Sequence, residues 1–228
     1  MRTSRITLVL ITAVVAIASA ALETARDTQD RAALERAVAD ASAAAAKNGN
    51  DAETNYRLAV AQSYLAEVAL ELKDKATAAK AAEAGIEAAR KAVSLNGKSP
   101  EYHRLLGTLC GQIIPASTLL GFKYGHCALD EINKALELDP KFALAYVSRG
   151  VGNYYLPEQL GGGPQKSITD FQKALSLNPK LPEAHLWTGL AFRKLHRDAE
   201  AREEFEKALA LNPKRVWIKQ QLDKTPAK

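Results

Sequence analysis

Between Pro182 and Arg215 the chain reads PEAHLWTGLAFRKLHRDAEAREEFEKALALNPKR. The closing part decides what kind of structure this is. Phe205 is followed three positions on by Ala208, and then by Leu-Asn-Pro ending at Pro213. Alanine at that place lets two helices cross closely, and the aromatic ring one turn earlier fills the gap behind the crossing. Proline then stops the helix, because it pushes the preceding residue out of the α region and has no N–H to donate.

The same cadence appears twice upstream, in ALDEINKALELDPK ending at Lys141 and SITDFQKALSLNPK ending at Lys180. Ile132 and Phe171 take the place of Phe205, and Ala135 and Ala174 that of Ala208. A fainter copy, AARKAVSLNGKSP, puts Gly97 where the proline would be. Self-similarity at such spacing is the mark of a helical repeat array. Composition agrees: 47% of the 228 residues are hydrophobic but only 6% aromatic, and alanine is abundant beside 13 Gly and 9 Pro. Helices are favoured and long strands are not.

At Gly189, Phe192, Ala201, Phe205, Ala208 and Pro213 the chain resembles the tetratricopeptide repeat family, whose unit is a helix-turn-helix of about 34 residues. The resemblance covers roughly residues 52–215, and the last copy fits it without a gap. The upstream copies carry extra residues: five between Gly150 and Phe171, including Leu160-Gly161-Gly162-Gly163-Pro164, and nine between Gly107 and Ile132, all expected in the connections. In the first copy fourteen extra residues lie between Ala59 and Ala89 without a breaker, and they read as about two added turns on each helix. The expected fold is all-α, an α-solenoid of about four hairpins near 52–95, 100–139, 142–178 and 182–212. A capping helix region at 21–51, with its helix at about 30–47, and a C-terminal cap and tail at 216–228 complete it.

The N-terminus reads differently. Arg2 and Arg5 precede an apolar run from Ile6 to Ala18, and Ala18-Ser19-Ala20 is a small-x-small cleavage site, so residues 1–20 read as a secretory signal. The alternative is an uncleaved anchor, for which the run is short of the ~18–20 residues a spanning helix needs. The chain is therefore expected to be exported, periplasmic or secreted, with no stable membrane insertion once the signal is removed. Its formal charge of +5 falls to +3 with the signal, because two arginines and no acids leave with it. That surplus is too small to argue for nucleic acid.

Catalytic chemistry finds no foothold. GGGPQKS at 161–167 departs from a phosphate-binding loop, which needs glycine just before the lysine and again five residues earlier, where this chain has Gln165 and Leu160. His103 and His185 occupy equivalent places in two first helices, as a structural position does. A metal set of His103, Cys110, His126 and Cys127 fails on reach, since His103 and Cys110 lie about 10 Å apart along a helix. No cofactor, metal or enzymatic activity is expected. Cys110 and Cys127 are either a disulfide between partner helices, Cys127 at the start of the second, or two buried thiols.

The family resemblance implies a concave face lined by the first helices, and through it a protein or peptide partner. Carried over by position, that groove is Tyr56, Val60 and Tyr64 from the first pair, and Arg104, Thr108 and Gln112 from the second. Val147, Val151, Tyr154 and Tyr155 follow from the third, then Leu190, Arg193 and Lys194 from the fourth. This is an aromatic floor with basic edges, suited to an extended peptide or an acidic chain end. The function expected is a non-enzymatic binding scaffold of the cell envelope, like exported bacterial-type members of the family. The alternative is a small-ligand-binding component of an envelope transport system.

Overall fold

A computed structural model describes residues 19–227, which are all-α. The proposed signal lies outside them, apart from its last two residues. Within the described residues a helix α1 covers 19–27, followed by α2 (Arg31–Lys47), α3 (Ala52–Glu71) and α4 (Lys75–Leu95). Then come α5 (Pro100–Ile113) and α6 (Thr118–Leu138), α7 (Ala143–Tyr155) and α8 (Pro164–Leu177), α9 (Pro182–Lys194) and α10 (Asp198–Leu211), and finally α11 (Val216–Asp223).

Helix starts follow local chemistry. Asp30, Asp51, Asp74, Ser99 and Ser117 each cap a helix by accepting from a backbone N–H three residues on. The added residues of the first hairpin are helical, giving α3 and α4 lengths of 20 and 21 residues against 13 and 14 for α9 and α10. In the second hairpin the extra residues do not form the expected long connection. A 3-10 turn at Ile114–Ala116 is followed at once by α6, 21 residues long, because Pro115 and the Ser117 cap break the chain early and nothing after them does. Cys127 consequently sits in the middle of α6 and not at its start. Only the third hairpin has a non-helical insertion, a 3-10 turn at Glu158–Leu160 and the glycines 161–163.

The repeated residues do the packing assigned to them. Ala135, Ala174 and Ala208 are fully buried, as are Phe171 and Phe205. The facing residue in each hairpin is glycine for a steric reason: a Cβ on Gly107, Gly150 or Gly189 would lie 2.7, 2.4 or 2.7 Å from Ile132, Phe171 or Phe205. His103 and His185 place Nδ1 at 2.6 and 2.7 Å from the carboxylates of Glu131 and Glu204, the residues just before Ile132 and Phe205. Two equivalent histidines thus make one repeated cross-hairpin tie.

The N-terminal cap is more than the expected lone helix. In the α1–α2 turn Gln29 has φ 55°, as Lys73 and His196 have 64° and 58° in the α3–α4 and α9–α10 turns. The bonds match too: Asp30 N–H to Ala25 O, Asp74 N–H to Ala69 O and Arg197 N–H to Phe192 O. The segment 19–47 therefore turns as the later hairpins do. At the other end α11 stands where the first helix of a further repeat would stand, with Ile218 buried against Leu186, Leu190 and Phe205. Cys110 and Cys127 are joined by a disulfide, Cα–Cα 5.9 Å, which staples α5 to α6.

First helices touch their successors, α3 with α5, α5 with α7 and α7 with α9, while the second helices make no comparable contact with one another. The array therefore curves with the first helices inside. Among the described residues no helix is long and apolar enough to cross a membrane.

Candidate functional site: the inner face

On α3 the residues Tyr56, Val60, Tyr64, Glu67 and Glu71 follow one another at three- and four-residue spacing and form one stripe. Tyr56 stacks on Tyr102 with ring centroids 4.9 Å apart and donates to Glu101 Oε1 at 2.9 Å. Burial, and then the Glu101 charge, raise its hydroxyl pKa above the ordinary tyrosine range. Glu101 also receives Arg104 in a bidentate pair, both distances 2.6 Å. Burial works against the Arg104 charge, but the adjacent carboxylate outweighs it and holds the pKa above its usual value.

The second and third hairpins meet through Thr108 and Ser148, whose hydroxyls are 3.0 Å apart, and the first and second through Gln112, which donates to Ser63 O at 3.2 Å. Val147 is buried in the third-hairpin core, and Val151 packs beside it. The fourth hairpin's first helix departs from the expected register. Leu190 is core, and Arg193 donates to Gln221 Oε1 at 2.7 Å and to Gln221 O at 3.2 Å. Both turn to α11 because α11 fills the place of a next repeat. Lys194 donates to Tyr154 O at 2.7 Å and lies over that ring, 4.5 Å from its centroid. The basic edge expected from Arg104, Arg193 and Lys194 is thus committed to the chain's own acceptors, and these residues do not present the free cations an acidic ligand would need.

Two tryptophans outside the expected groove complete the aromatic floor. Tyr155 meets Trp187 edge to face at 5.9 Å, Tyr154 meets Trp187 at 5.6 Å, and Trp187 meets Trp217 at 5.7 Å. Tyr155 is 62% exposed, so this row of rings from α7, α9 and α11 offers apolar surface to solvent. Desolvation by the surrounding chain, with Tyr154 and Glu71 nearby, pushes Tyr155 up to about 12.

A charged cluster also escapes the sequence pattern. Arg215, at the N-cap of α11, is 3% exposed and donates to Glu67 at 2.8 Å and to the equally buried Glu71. It also donates to Arg26 O at 3.0 Å. Asp27 accepts from Asn212 at 2.8 Å, Gln29 donates to Glu71 at 2.8 Å, and Arg26 lies 3.3 Å from Glu183 and over the Tyr64 ring. Burial and the neighbouring Glu67 push Glu71 up to about 7, against the pull of Arg215. No local pattern marks Arg215 in the sequence, since it simply follows Pro213-Lys214.

Outside the inner face, a cleft of about 440 Å³ between α6, α7 and α8 is lined by Leu129, Asn133, Arg149, Asn153, Lys166, Thr169 and Asp170. Arg149 is closed by Asp170 at 2.6 Å, and Lys166 donates to Gly161 O at 2.6 Å. Among the described residues no group of His, Cys, Asp or Glu gathers to hold a metal ion.

These helical hairpins define a tetratricopeptide-type array, and the repeat model of that family matches residues 182–215. The family model described as regulator of microtubule dynamics protein 1-3 matches residues 20–156, well over half of the chain, and the chain belongs to that family. No curated protein matches it. Among solved structures, TTC0263, a thermophilic TPR protein of Thermus thermophilus, is similar at 20% identity and TM-score 0.61, over 84% of this chain and 90% of that one. MamA 41-end from Desulfovibrio magneticus RS-1 gives 21% and 0.46, over 86% and 95%, and pilF of Pseudomonas aeruginosa 21% and 0.47, over 72% and 65%. The first of these supports the fold; the other two are more distant.

Proposed function

We propose that this protein is a non-enzymatic scaffold that binds a protein or peptide segment along its inner face. The observation that carries the reading is the row Tyr154, Tyr155, Trp187 and Trp217, with Tyr155 turned to solvent on the curved side of the array. Aromatic rings give large contact area for little rotamer entropy, which suits recognition of a peptide. The description of the family, regulation of microtubule dynamics, names a role exerted on a protein polymer and favours a protein partner over a small ligand. The basic groups are already paired, so the surface offered is aromatic and neutral in preference to anion-gripping.

Export to the cell envelope, periplasmic or secreted, is part of the same proposal. Its supports are the N-terminal Arg-flanked apolar run and the Cys110–Cys127 disulfide, a bond that persists in oxidising compartments. The test is capture from an envelope fraction by the parent chain and by Tyr155→Ala, each first verified as folded by circular dichroism. A protein retained by the parent and lost by the variant supports the inner face as the binding surface; equal retention moves binding elsewhere.

A further inference from the structure

Among the described residues, the two ends of the array meet through polar side chains. Arg215, Asn212, Gln220 and Glu183 from the last hairpin and cap reach Arg26, Asp27 and Gln29 of the α1 turn and Glu67 and Glu71 of α3, across 144 or more positions of sequence. Among the described helices from α2 onward, neither α2 nor α3 packs closely against α9, α10 or α11. The apolar clusters of the described residues respect the same seam: one runs from Leu22 to Ala128, and the last, around Phe205 and Ile218, contains nothing from α1 to α3. The seam is therefore unlike every junction between neighbouring hairpins, where apolar side chains interdigitate.

That difference has an energetic consequence. An apolar seam resists opening because separation exposes hydrocarbon to water. A seam of ionised groups regains hydration when it opens, and the desolvation already spent on Arg215 and Glu71 is returned. Opening loosens the α1 turn, whose Arg26, Asp27 and Gln29 carry the seam, and leaves the packing of the remaining hairpins intact. The seam borders the aromatic row directly: Arg215 lies over Trp217, 5.9 Å from its ring centroid, and Glu71 is close enough to Tyr155 to raise its pKa.

We infer that the polar seam centred on Arg215 is a clasp, holding first and last hairpins together and gating access to the inner face between them. This rests on the inner face being the binding surface, and it adds how that surface is regulated: beyond the Tyr155 edge that solvent already reaches, a partner gains the half-buried Trp187 and Trp217 when the clasp opens.

The experiment uses the full chain, with spin labels at exposed positions 73 and 219 and with acrylamide as the probe of inner-face access through Trp187 and Trp217, the two tryptophans of the chain. Arg215→Gln should lengthen and broaden the label distance and increase quenching. Amide exchange across residues 22–29 should accelerate by about tenfold or more while α5–α8 keep their protection. A Gln29→Cys/Gln220→Cys chain, at positions whose parent side-chain ends meet at 3.2 Å, should when bridged by a short bismaleimide show quenching no higher than wild type, and the same chain with each thiol alkylated singly should show more. If Arg215→Gln loosens all helices together, Arg26→Gln supplies the milder opening and must give the selective pattern. A folded Arg215→Gln chain with unchanged distance and quenching, or loosening spread through α5–α8 in both variants, overturns the clasp. None of these readings needs a partner, so an inner face that fails the capture test leaves them standing.

Discussion

The side chains of Arg215 and Glu71, 144 positions apart, are each 3% exposed and form a charge pair that ties the cap of the last hairpin to the first. Burial disfavours the Arg215 charge, and Glu67 and Glu71 together more than compensate, holding its pKa above the ordinary arginine value. The same burial, with Glu67 close by, raises Glu71.

The sign of the resulting pH dependence follows by linkage. Below about pH 4.5 Glu71 is protonated folded and unfolded alike; between there and about 7 the folded chain keeps a proton that the unfolded chain releases. Its contribution to stability therefore falls as pH rises through that window and levels off above it. Urea midpoints of wild type and Glu71→Gln across the window should converge at the acid end and separate toward neutrality, with the variant gaining relative to wild type. Parallel midpoints would show that Glu71 titrates normally.

The disulfide closes a loop of 17 positions between α5 and α6. In the chain-entropy model such a closure contributes about 3 kcal/mol, so Cys110→Ala/Cys127→Ala should lower the unfolding free energy by about that much. Alkylation of the denatured wild-type chain without reductant should add no mass, and two added alkyl groups would contradict the bond.

Ala174 is fully buried where α8 crosses its neighbours. Ala174→Leu should cost roughly 1–3 kcal/mol through overpacking, felt in the third hairpin and in the interfaces on either side of it. An unchanged denaturation midpoint would mean the crossing has room that the close contact denies.

Two glycines of α7 should respond in opposite directions. A Cβ at Gly150 would lie 2.4 Å from the Phe171 ring, whereas one at Gly152 meets nothing within 4 Å. Gly150→Ala should therefore destabilise by about 1–3 kcal/mol, and Gly152→Ala should stabilise by about 0.5–1 kcal/mol through helix propensity. Thermal melts of the two variants side by side decide it.

Much of the architecture is legible in the chain because its causes are local. The Phe205-Ala208-Pro213 cadence and its two copies encode helix crossing and helix end within a few turns of each other, so they read directly from the residues. The Gly161–Gly163 insertion is equally visible as a break. The connection before α6 is shorter than expected because a helix can absorb added residues wherever no breaker stops it, and the only break there lies at Pro115–Ser117. Of the inner face, Tyr56, Tyr64, Tyr154 and Tyr155 follow from repeat position, whereas Leu190 and Arg193 depart from it because the last repeat has α11 as its neighbour instead of a further full hairpin.

By itself the sequence determined the helices, their pairing into hairpins and the small-against-large packing inside each pair, because those depend on residues a few turns apart. Tertiary structure alone decided where the array stops curving: whether Arg215 reaches Glu71, whether Trp187 and Trp217 extend the tyrosine row, and whether the basic groups stay free. Those outcomes depend on small rotations summed over every hairpin, and no short stretch of chain carries that sum.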